Sequence, residues 1–325
     1  MEALIGTVVI GRNEGARLRS CLESVLQYVN LVVYVDSGST DDSVELAKQF
    51  GVDVVHLDLT IPFTAARARN EGFDRLQKLA PNLSFVQFID GDCVILKGWF
   101  EHALFHFEHN SDVAVVCGRR RERYPETSIY NMLCDIEWNT AVGQTKACGG
   151  DSLMRATVFQ QVAGFNPELI AGEEPELCVR IRQHGWKVWR LDADMTLHDA
   201  NMTRFAEWWK RNVRSGFAFA LGASMHGALP ERHWVTEMNR ARVWGAYIPL
   251  FILSIALIEP IGVVLAIIYP IQVIRIWSKN KDKVSIPWKY AFFVTLGKFP
   301  EIQGQFKFYL NKLFRLRSEI IEYKG

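Results

Sequence analysis

The sequence predicts an α/β fold in which a mainly parallel sheet is flanked by helices, followed by a membrane-embedded helical region. Three observations predict it. Up to residue 115, short β-rich apolar runs alternate with stretches of helical period, the pattern of a layered α/β sheet. Residues 243–277 then run almost without charge. Across 325 residues, 49% hydrophobic against 22% charged excludes a disordered chain and allows one large domain or two of ordinary size.

Strands are expected at Thr7 to Ile10, Leu31 to Val35, Val52 to Leu57, Phe85 to Ile89 and Val113 to Val116. Helical period fills Ala16 to Tyr28 and Asp42 to Phe50. In sheets of this kind ligands collect at the carboxyl ends of the strands, and the residues there are acidic or amide. From residue 117 strands are harder to place, and tryptophan and arginine become frequent. One domain is therefore expected over 1–240, a membrane hairpin or span over 241–280 and an amphipathic interfacial tail over 281–325.

Charge and cysteine usage narrow the class. Lys+Arg at 37 against Asp+Glu at 36 leaves +1, with no basic field to draw nucleic acid. The six cysteines stand singly, without zinc spacing, as reduced core thiols in a cytosolic compartment. Met1 to Ile10 has no basic flank, and Arg12, Asn13 and Glu14 interrupt any apolar run. Neither a signal peptide nor a first membrane span is expected there, so the front of the chain belongs in the cytoplasm.

Several motifs carry chemistry. Asp36-Ser37-Gly38-Ser39-Thr40-Asp41-Asp42-Ser43 follows the second strand, and Asp36 either grips a base or ribose or serves a well-capped turn. Asp90-Gly91-Asp92 follows the fourth. Two carboxylates on a tight turn can share a divalent cation with a diphosphate, since magnesium needs only one or two protein oxygens; a solvated turn is the plain alternative. Arg119 to Arg123 puts four arginines in five residues after the fifth strand, as a solvated cluster or an anion clamp. His198, after the strand-like run Val188 to Leu191, is either a second metal contact backed by Asp199 or a satisfied turn histidine.

With Asp36 and Asp90-Gly91-Asp92 both at strand ends, the chain resembles a family 2 glycosyltransferase of the GT-A fold. Arg12-Asn13-Glu14, Ala66-Arg67-Ala68-Arg69-Asn70-Glu71-Gly72 and Gly172-Glu173-Glu174-Pro175-Glu176-Leu177 with Arg180 follow in the family's order, over residues 4–200. The resemblance implies that Asn13, Glu14 and Asp36 line the base and ribose, Arg69 lies near the diphosphate or base, Asp90 near the ribose and Asp92 on the metal. It implies Mn2+ or Mg2+, with His198 completing the metal shell. Glu174 stands where the family usually has its catalytic aspartate. The register of Leu177 and Arg180 favours it over Glu173 as base; a helix-opening acidic pair is the bland alternative.

Such an enzyme inverts the anomeric carbon, because one base faces the leaving group from the opposite side. The resemblance implies a nucleotide-sugar donor, with UDP as carrier, and a lipid-linked or glycan acceptor. It also implies a place at the bacterial inner membrane, with the catalytic domain cytoplasmic, in polysaccharide or glycolipid assembly. Trp208, Trp209, Arg211 and Arg214 are candidates for acceptor or phosphate contact, for membrane-interface anchoring, or for plain core. The processive synthases' Gln-x-x-Arg-Trp order is not kept, which speaks against processive synthesis. The competing classes are a non-catalytic membrane-bound nucleotide-binding scaffold and a sugar-1-phosphate nucleotidyltransferase. The carboxylate set speaks against the first, and Gly11-Arg12-Asn13-Glu14 lacks the second's Gly-rich opening loop. No GxGxxG follows a strand, which excludes a dinucleotide oxidoreductase.

The apolar stretch 243–277 has 35 residues, more than one span of about 20 and less than two comfortable ones. Glu259-Pro260 divides it, and both flanks are basic. A hairpin with Glu259-Pro260 near its tip keeps both ends in the cytoplasm and contacts membrane lipids, whereas a single tilted span would bury Glu259. From Trp288 to Arg317, aromatics mix with Lys298, Lys307, Lys312 and Arg315 as in an interfacial amphipathic helix, or as in ordinary packing.

Overall fold

The computed structural model describes residues 3–316. The chain divides into two compact units: residues up to Pro125 with Glu137–Asn201, and Glu126–Ile136 with Met202 onward. The Trp-rich helix that follows Asn201 packs with the C-terminal helices. Of the residues named above, Met1 and Arg317 lie outside the described range.

Nine strands form one sheet among the described residues: β1 (Ile5–Gly11), β2 (Leu31–Asp36), β3 (Asp53–His56), β4 (Phe85–Asp90), β5 (Cys93–Ile95), β6 (Val113–Glu122), β7 (Gly143–Thr145), β8 (Ser152–Arg155) and β9 (Lys187–His198). Their order is β3-β2-β1-β4-β8-β6-β9-β5, with β7 paired to β9. The half β3-β2-β1-β4 is parallel. Its residues Val8, Val9, Val33, Val35, Phe88 and Ile89 are buried, which is why the runs read as continuous β-branched stretches rather than as alternation. Beyond β4 the sheet is mixed, with β8 antiparallel to both neighbours.

Two strands run further than the sequence suggests. β6 continues to Glu122, so Arg119, Arg120 and Arg121 lie on a strand and not in the loop after it. β9 continues to His198, so this residue ends a strand instead of sitting in a turn. In both cases the cause is mutual pairing of the extensions, Arg120 with Thr196 and Glu122 with His198, which no local apolar pattern announces.

The helices of this unit are α1 (Ala16–Leu26), α2 (Ser43–Gln49), α3 (Ala65–Leu79) and α4 (Trp99–His109); after α5 (Ile129–Trp138) come α6 (Ala156–Gln161) and α7 (Glu173–Gln183). Register places Ile10 beside Asp90 and Gly11 beside Asp36, so the carboxyl ends of β1, β2 and β4 share one edge. Helix α3 starts at Thr64, whose Oγ1 accepts the Arg67 amide at 3.1 Å. It lies hard against β1 and β2 at Gly72, where a Cβ would overlap Val8 and come within 2.9 Å of Val35 Cγ2.

The second unit contains α8 (Phe205–His226), α9 (Val235–Arg242), α10 (Ile248–Ile258), α11 (Ile268–Asn280), α12 (Pro287–Leu296) and α13 (Lys298–Leu313). Two helical stretches, Val235–Ile258 and Pro260–Asn280, have 24 and 21 residues and are long and apolar enough to cross a membrane. The chain folds back between them at Glu259, which has extended φ/ψ. Tyr269 Oη donates to the Trp244 carbonyl at 2.7 Å, closing the hairpin's base. Leu250, Phe251, Leu257, Ile258, Ile261 and Val264 are exposed, a contiguous apolar surface that water disfavours.

Helix α13 is amphipathic, but one face is spent on α8. At Gly216 an added Cβ would fall onto the Glu301 carbonyl, and at Gly304 onto the Val213 carbonyl, so the two backbones touch through glycines. The Gly216→Ala variant sets two effects against each other. Helix propensity favours Ala by about 1 kcal/mol, whereas prying the backbones apart costs about 1–3 kcal/mol. The clash is with backbone and cannot be rotated away, so thermal unfolding of the detergent-solubilised chain should show a lowered midpoint. A raised midpoint would mean that the helices are not in contact there.

Candidate active site

The site is built on the β4 end. Asp90 closes the strand, Gly91-Asp92 turns, and Cys93 opens β5 opposite His198 of β9. The His198 ring is buried with Nε2 3.3 Å from Asp92 Oδ2, its edge against Trp138. One ligand atom each from Asp90, Asp92, Cys93 and His198 falls within 4.8 Å of the others. Not all four suit a metal. Burial pushes the Cys93 thiol well above its ordinary range, which keeps it neutral, and the two guanidinium charges already on Asp90 disfavour a cation there. Asp92 and His198 remain, a carboxylate and an imidazole converging in a buried place, a donor pair that suits Mn2+ better than Mg2+.

Arg69, buried on α3, ties this edge to the head of α7. Its Nη2 lies 2.8 Å from Asp90 Oδ1, and its Nη1 lies 3.1 Å from Glu173 Oε1 and 2.9 Å from Glu174 Oε1. Phe165 lies under the guanidinium, 5.5 Å from ring centroid to Cζ. Helix α7 can begin there because Gly172, at φ 81°, adopts the left-handed conformation that a side chain resists. Three carboxylates keep Arg69 charged against the opposing effect of burial.

The carboxylates divide in character. Burial works to raise the Asp90 pKa, but the Arg69 and Arg120 guanidiniums outweigh it and hold Asp90 at about 2. Glu174 goes the other way, pushed up to about 7 by burial and then by the Glu173 charge, with Arg69 pulling back. One acid is thus permanently ionised while its neighbour titrates near neutrality, the separation expected of groups with different tasks. Glu173 is more buried than Glu174 and shares the same arginine nitrogen.

Arg120 supplies the second grip on Asp90, with Nη2 2.7 Å from Oδ2, and its Nε lies 2.9 Å from Asp151 Oδ2. The arginine run is therefore neither a free cluster nor one clamp: Arg120 points into the site, whereas Arg121 makes an exposed pair with Asp194 at 3.2 Å. Gly150 fills the space between the groups. A Cβ there would stand 2.7 Å from Arg69 Nη2, 3.0 Å from Asp90 Oδ2 and 3.2 Å from Glu174 Oε1.

Asn13, Glu14 and Asp36 lie along the same edge, in local roles. Asp36 Oδ2 accepts the Gly38 and Ser39 amides, both at 3.0 Å, and Asn13 Oδ1 accepts the Thr40 amide at 2.7 Å, joining the loops after β1 and β2. Glu14 pairs with Arg17 at 2.9 Å and its stem lies over Gly11 and Gly91. Trp208, Trp209, Arg211 and Arg214 belong to α8 in the second unit. Trp208 is buried edge-on to Phe293 at 5.0 Å and Trp209 Nε1 donates to Gln303 at 2.8 Å. Sequence reasoning passed over Gly150, Asp151 and Arg120 as individual residues. The signal was Gly149-Gly150-Asp151 directly before β8 and its apolar pair Leu153-Met154.

Residues 7–154 match the family model Glycosyl transferase family 2. The fold of this part of the chain is the GT-A fold. Among curated relatives, the O-antigen chain rhamnosyltransferase RfbN of Salmonella typhimurium is 23% identical over 59% of this chain and 65% of its own length. Glycosyltransferase AglE of Haloferax volcanii is 23% identical over 65% of this chain and 71% of its own. The chain thus spans about two thirds of these relatives. Among solved structures, the mannosyltransferase PcManGT of Pyrobaculum calidifontis, in complex with GDP-Man and Mn2+, superposes with a TM-score of 0.62 at 16% identity, covering 95% of this chain and 87% of its own.

The packing around Gly150 yields a sharp expectation. Gly150→Ala forces Arg69 or Glu174 to move by a fraction of an ångström, and misplacement on that scale costs up to about 10²-fold in turnover. Nucleotide-sugar turnover should fall by one to two powers of ten with an unfolding midpoint within a few degrees of wild type. Unchanged turnover would remove Gly150 and the Arg69–Glu174 contact from the active centre.

Proposed function

We propose that this chain transfers a sugar from a nucleotide sugar to an acceptor hydroxyl, with inversion at the anomeric carbon, and that the acceptor is lipid-linked or a growing glycan at the cytoplasmic face of the membrane. The observation that carries the reading is the pairing of a near-neutral carboxyl, Glu174, with the Asp92–His198 donor pair on the edge of a domain matching family 2. Asn13, Glu14 and Asp36 face the base and ribose, and Arg69 and Asp90 the ribose and diphosphate side.

Asp92 and His198 would hold the metal, Mn2+ by the chemistry of the donor set, and such a cation would supply the charge that offsets the leaving diphosphate. Glu174 takes the proton from the acceptor hydroxyl as the oxygen attacks the anomeric carbon. Its raised pKa makes it a competent base near neutrality, with Arg69 steadying its ionised form. Glu173, deeper and bonded to the same nitrogen, orients Arg69. UDP is the carrier that the family resemblance implies, and GDP is the one bound in PcManGT. The apolar hairpin holds the catalytic unit at a bilayer and concentrates it on a lipid-linked acceptor.

A panel of nucleotide sugars with Mn2+ or Mg2+, scored by nucleotide release and transfer from the solubilised enzyme, tests the reading; no release with any donor would contradict it. Glu174→Gln should keep donor affinity and lose transfer by about 10²- to 10⁴-fold, with Glu173→Gln milder. Wild-type turnover should rise with pH through about 7, as Glu174 ionises. Stability runs opposite. Because the folded pKa lies above the unfolded value of 4.5, the protonated carboxyl's contribution is complete below 4.5 and lost as pH rises through about 7. Glu174→Gln should therefore raise the unfolding midpoint at pH 8 and leave it unchanged at pH 4.5. A variant that gains nothing at pH 8, or a pH profile flat between 6 and 8, would assign the base elsewhere.

Alkaline carbonate extraction of membranes carrying the full chain should leave it in the pellet. Release into the soluble fraction would show that the hairpin's apolar surface is met by protein and not by lipid.

A further inference from the structure

Asp151 has no part in the chemistry above, yet its carboxylate is fully committed. Its side chain has no solvent exposure, 0%. Oδ2 accepts from Thr196 Oγ1 at 2.6 Å and Arg120 Nε at 2.9 Å; Oδ1 accepts from Arg120 Nη2 at 3.1 Å and the Asp90 amide at 3.3 Å. Four donors from β4, β6 and β9 thus meet on one carboxylate. Burying such a pair is poor value for stability, since apolar residues of similar volume often serve as well. What it supplies is geometry.

Arg120 is the part so fixed. A two-point fork on Asp151 sets the plane of its guanidinium, Trp138 lies 5.3 Å away under its face, and Nη2 reaches Asp90 Oδ2 at 2.7 Å. Arg69 takes Asp90 Oδ1 at 2.8 Å from another direction. The terminal torsion of an aspartate is otherwise broad. Here it is held at both oxygens, and since each carboxylate oxygen has two lone pairs, one on each remains. The Asp90 side chain is 26% exposed, so those lone pairs are open to a ligand.

We infer that Asp151 is a positioning residue: through Arg120 it fixes the plane of the Asp90 carboxylate, so that Asp90 selects the 3′-hydroxyl of the bound nucleoside diphosphate. The inference rests on the proposed nucleotide-sugar reading. It follows from how hydroxyls are recognised. A rigid, correctly aimed acceptor rejects an analogue lacking the hydroxyl, whereas an acceptor free to rotate discriminates little. The 3′-hydroxyl is the diagnostic group because ribose and 2′-deoxyribose both carry it.

The test is calorimetric. UDP, GDP and dTDP are titrated into the full-length solubilised protein with Mn2+, and the tightest binder is compared with its 3′-deoxy analogue. Wild type should prefer the parent by about 10-fold or more, as loss of a hydrogen bond to a charged group implies. Asp151→Asn and Arg120→Met should bring the preference below about 3-fold while affinity for the 3′-deoxy analogue stays nearly constant. Arg120→Met leaves Asp151 its Thr196 and Asp90 partners and carries the same expectation should Asp151→Asn fail to fold. A preference retained in the folded variants, or equal weakening of both ligands, marks a merely structural network and overturns the inference. So does a wild type that binds both ligands alike, and that result leaves the transferase reading standing. Wild type that binds none of the three nucleotides contradicts the transferase reading itself.

Discussion

A single buried guanidinium sets the terms of this site. Arg69 reaches Asp90 at the end of a strand and both glutamates at the head of a helix, joining parts of the chain separated by 21 and 104 positions. A buried arginine is tolerable only when such partners surround it. Two features of the fold put them there. Gly72 lets α3 lie on the sheet, bringing Arg69 over its edge, and the left-handed Gly172 turns the chain into α7 with Glu173 and Glu174 foremost. The division of labour follows. Asp90 receives a second arginine and stays ionised, while Glu174 shares one Arg69 nitrogen with the Glu173 carboxylate and titrates near neutrality.

What the sequence shows and hides follows from the range of the interactions. The parallel half of the sheet was legible because its strands are buried on both faces and each ends in a polar turn. Asp90 and Asp92 therefore stood out by local pattern, and Arg69 entered only through the family resemblance. The mixed half was not. β8 has four residues and β7 three, and the extensions of β6 and β9 pair mainly with each other. Their charged residues suggested a surface run, so Arg120 was hidden among its neighbours. Asp151 is 61 positions from the Asp90 amide it accepts, and only the folded sheet brings them together. His198 was singled out as a metal contact or a turn histidine, while its place at the end of a strand was missed.

The second unit shows the same limit. Apolar length and Glu259-Pro260 were enough to suggest a hairpin, and the chain does fold back there. The C-terminal tail suggested an interfacial amphipathic helix or ordinary packing, because its aromatic and basic residues suit either. The glycines at 216 and 304 carry no such signal, yet they let α13 press on α8 backbone to backbone. Trp208, conspicuous in sequence, is spent largely on Phe293 and its neighbours within that helical unit.

The account rests on there being one base and no second carboxylate placed to act as a nucleophile. Both oxygens of Asp90 accept from arginines, Glu173 is buried against Arg69, and in the proposed reading Glu174 serves as the base, so that reading contains no covalent sugar-enzyme ester. The most direct measurement is the anomeric configuration of the first product, read by proton NMR during turnover of whichever nucleotide sugar the enzyme accepts. A product of anomeric configuration opposite to that of the donor is the predicted result. A product that retains the donor's configuration would contradict the account.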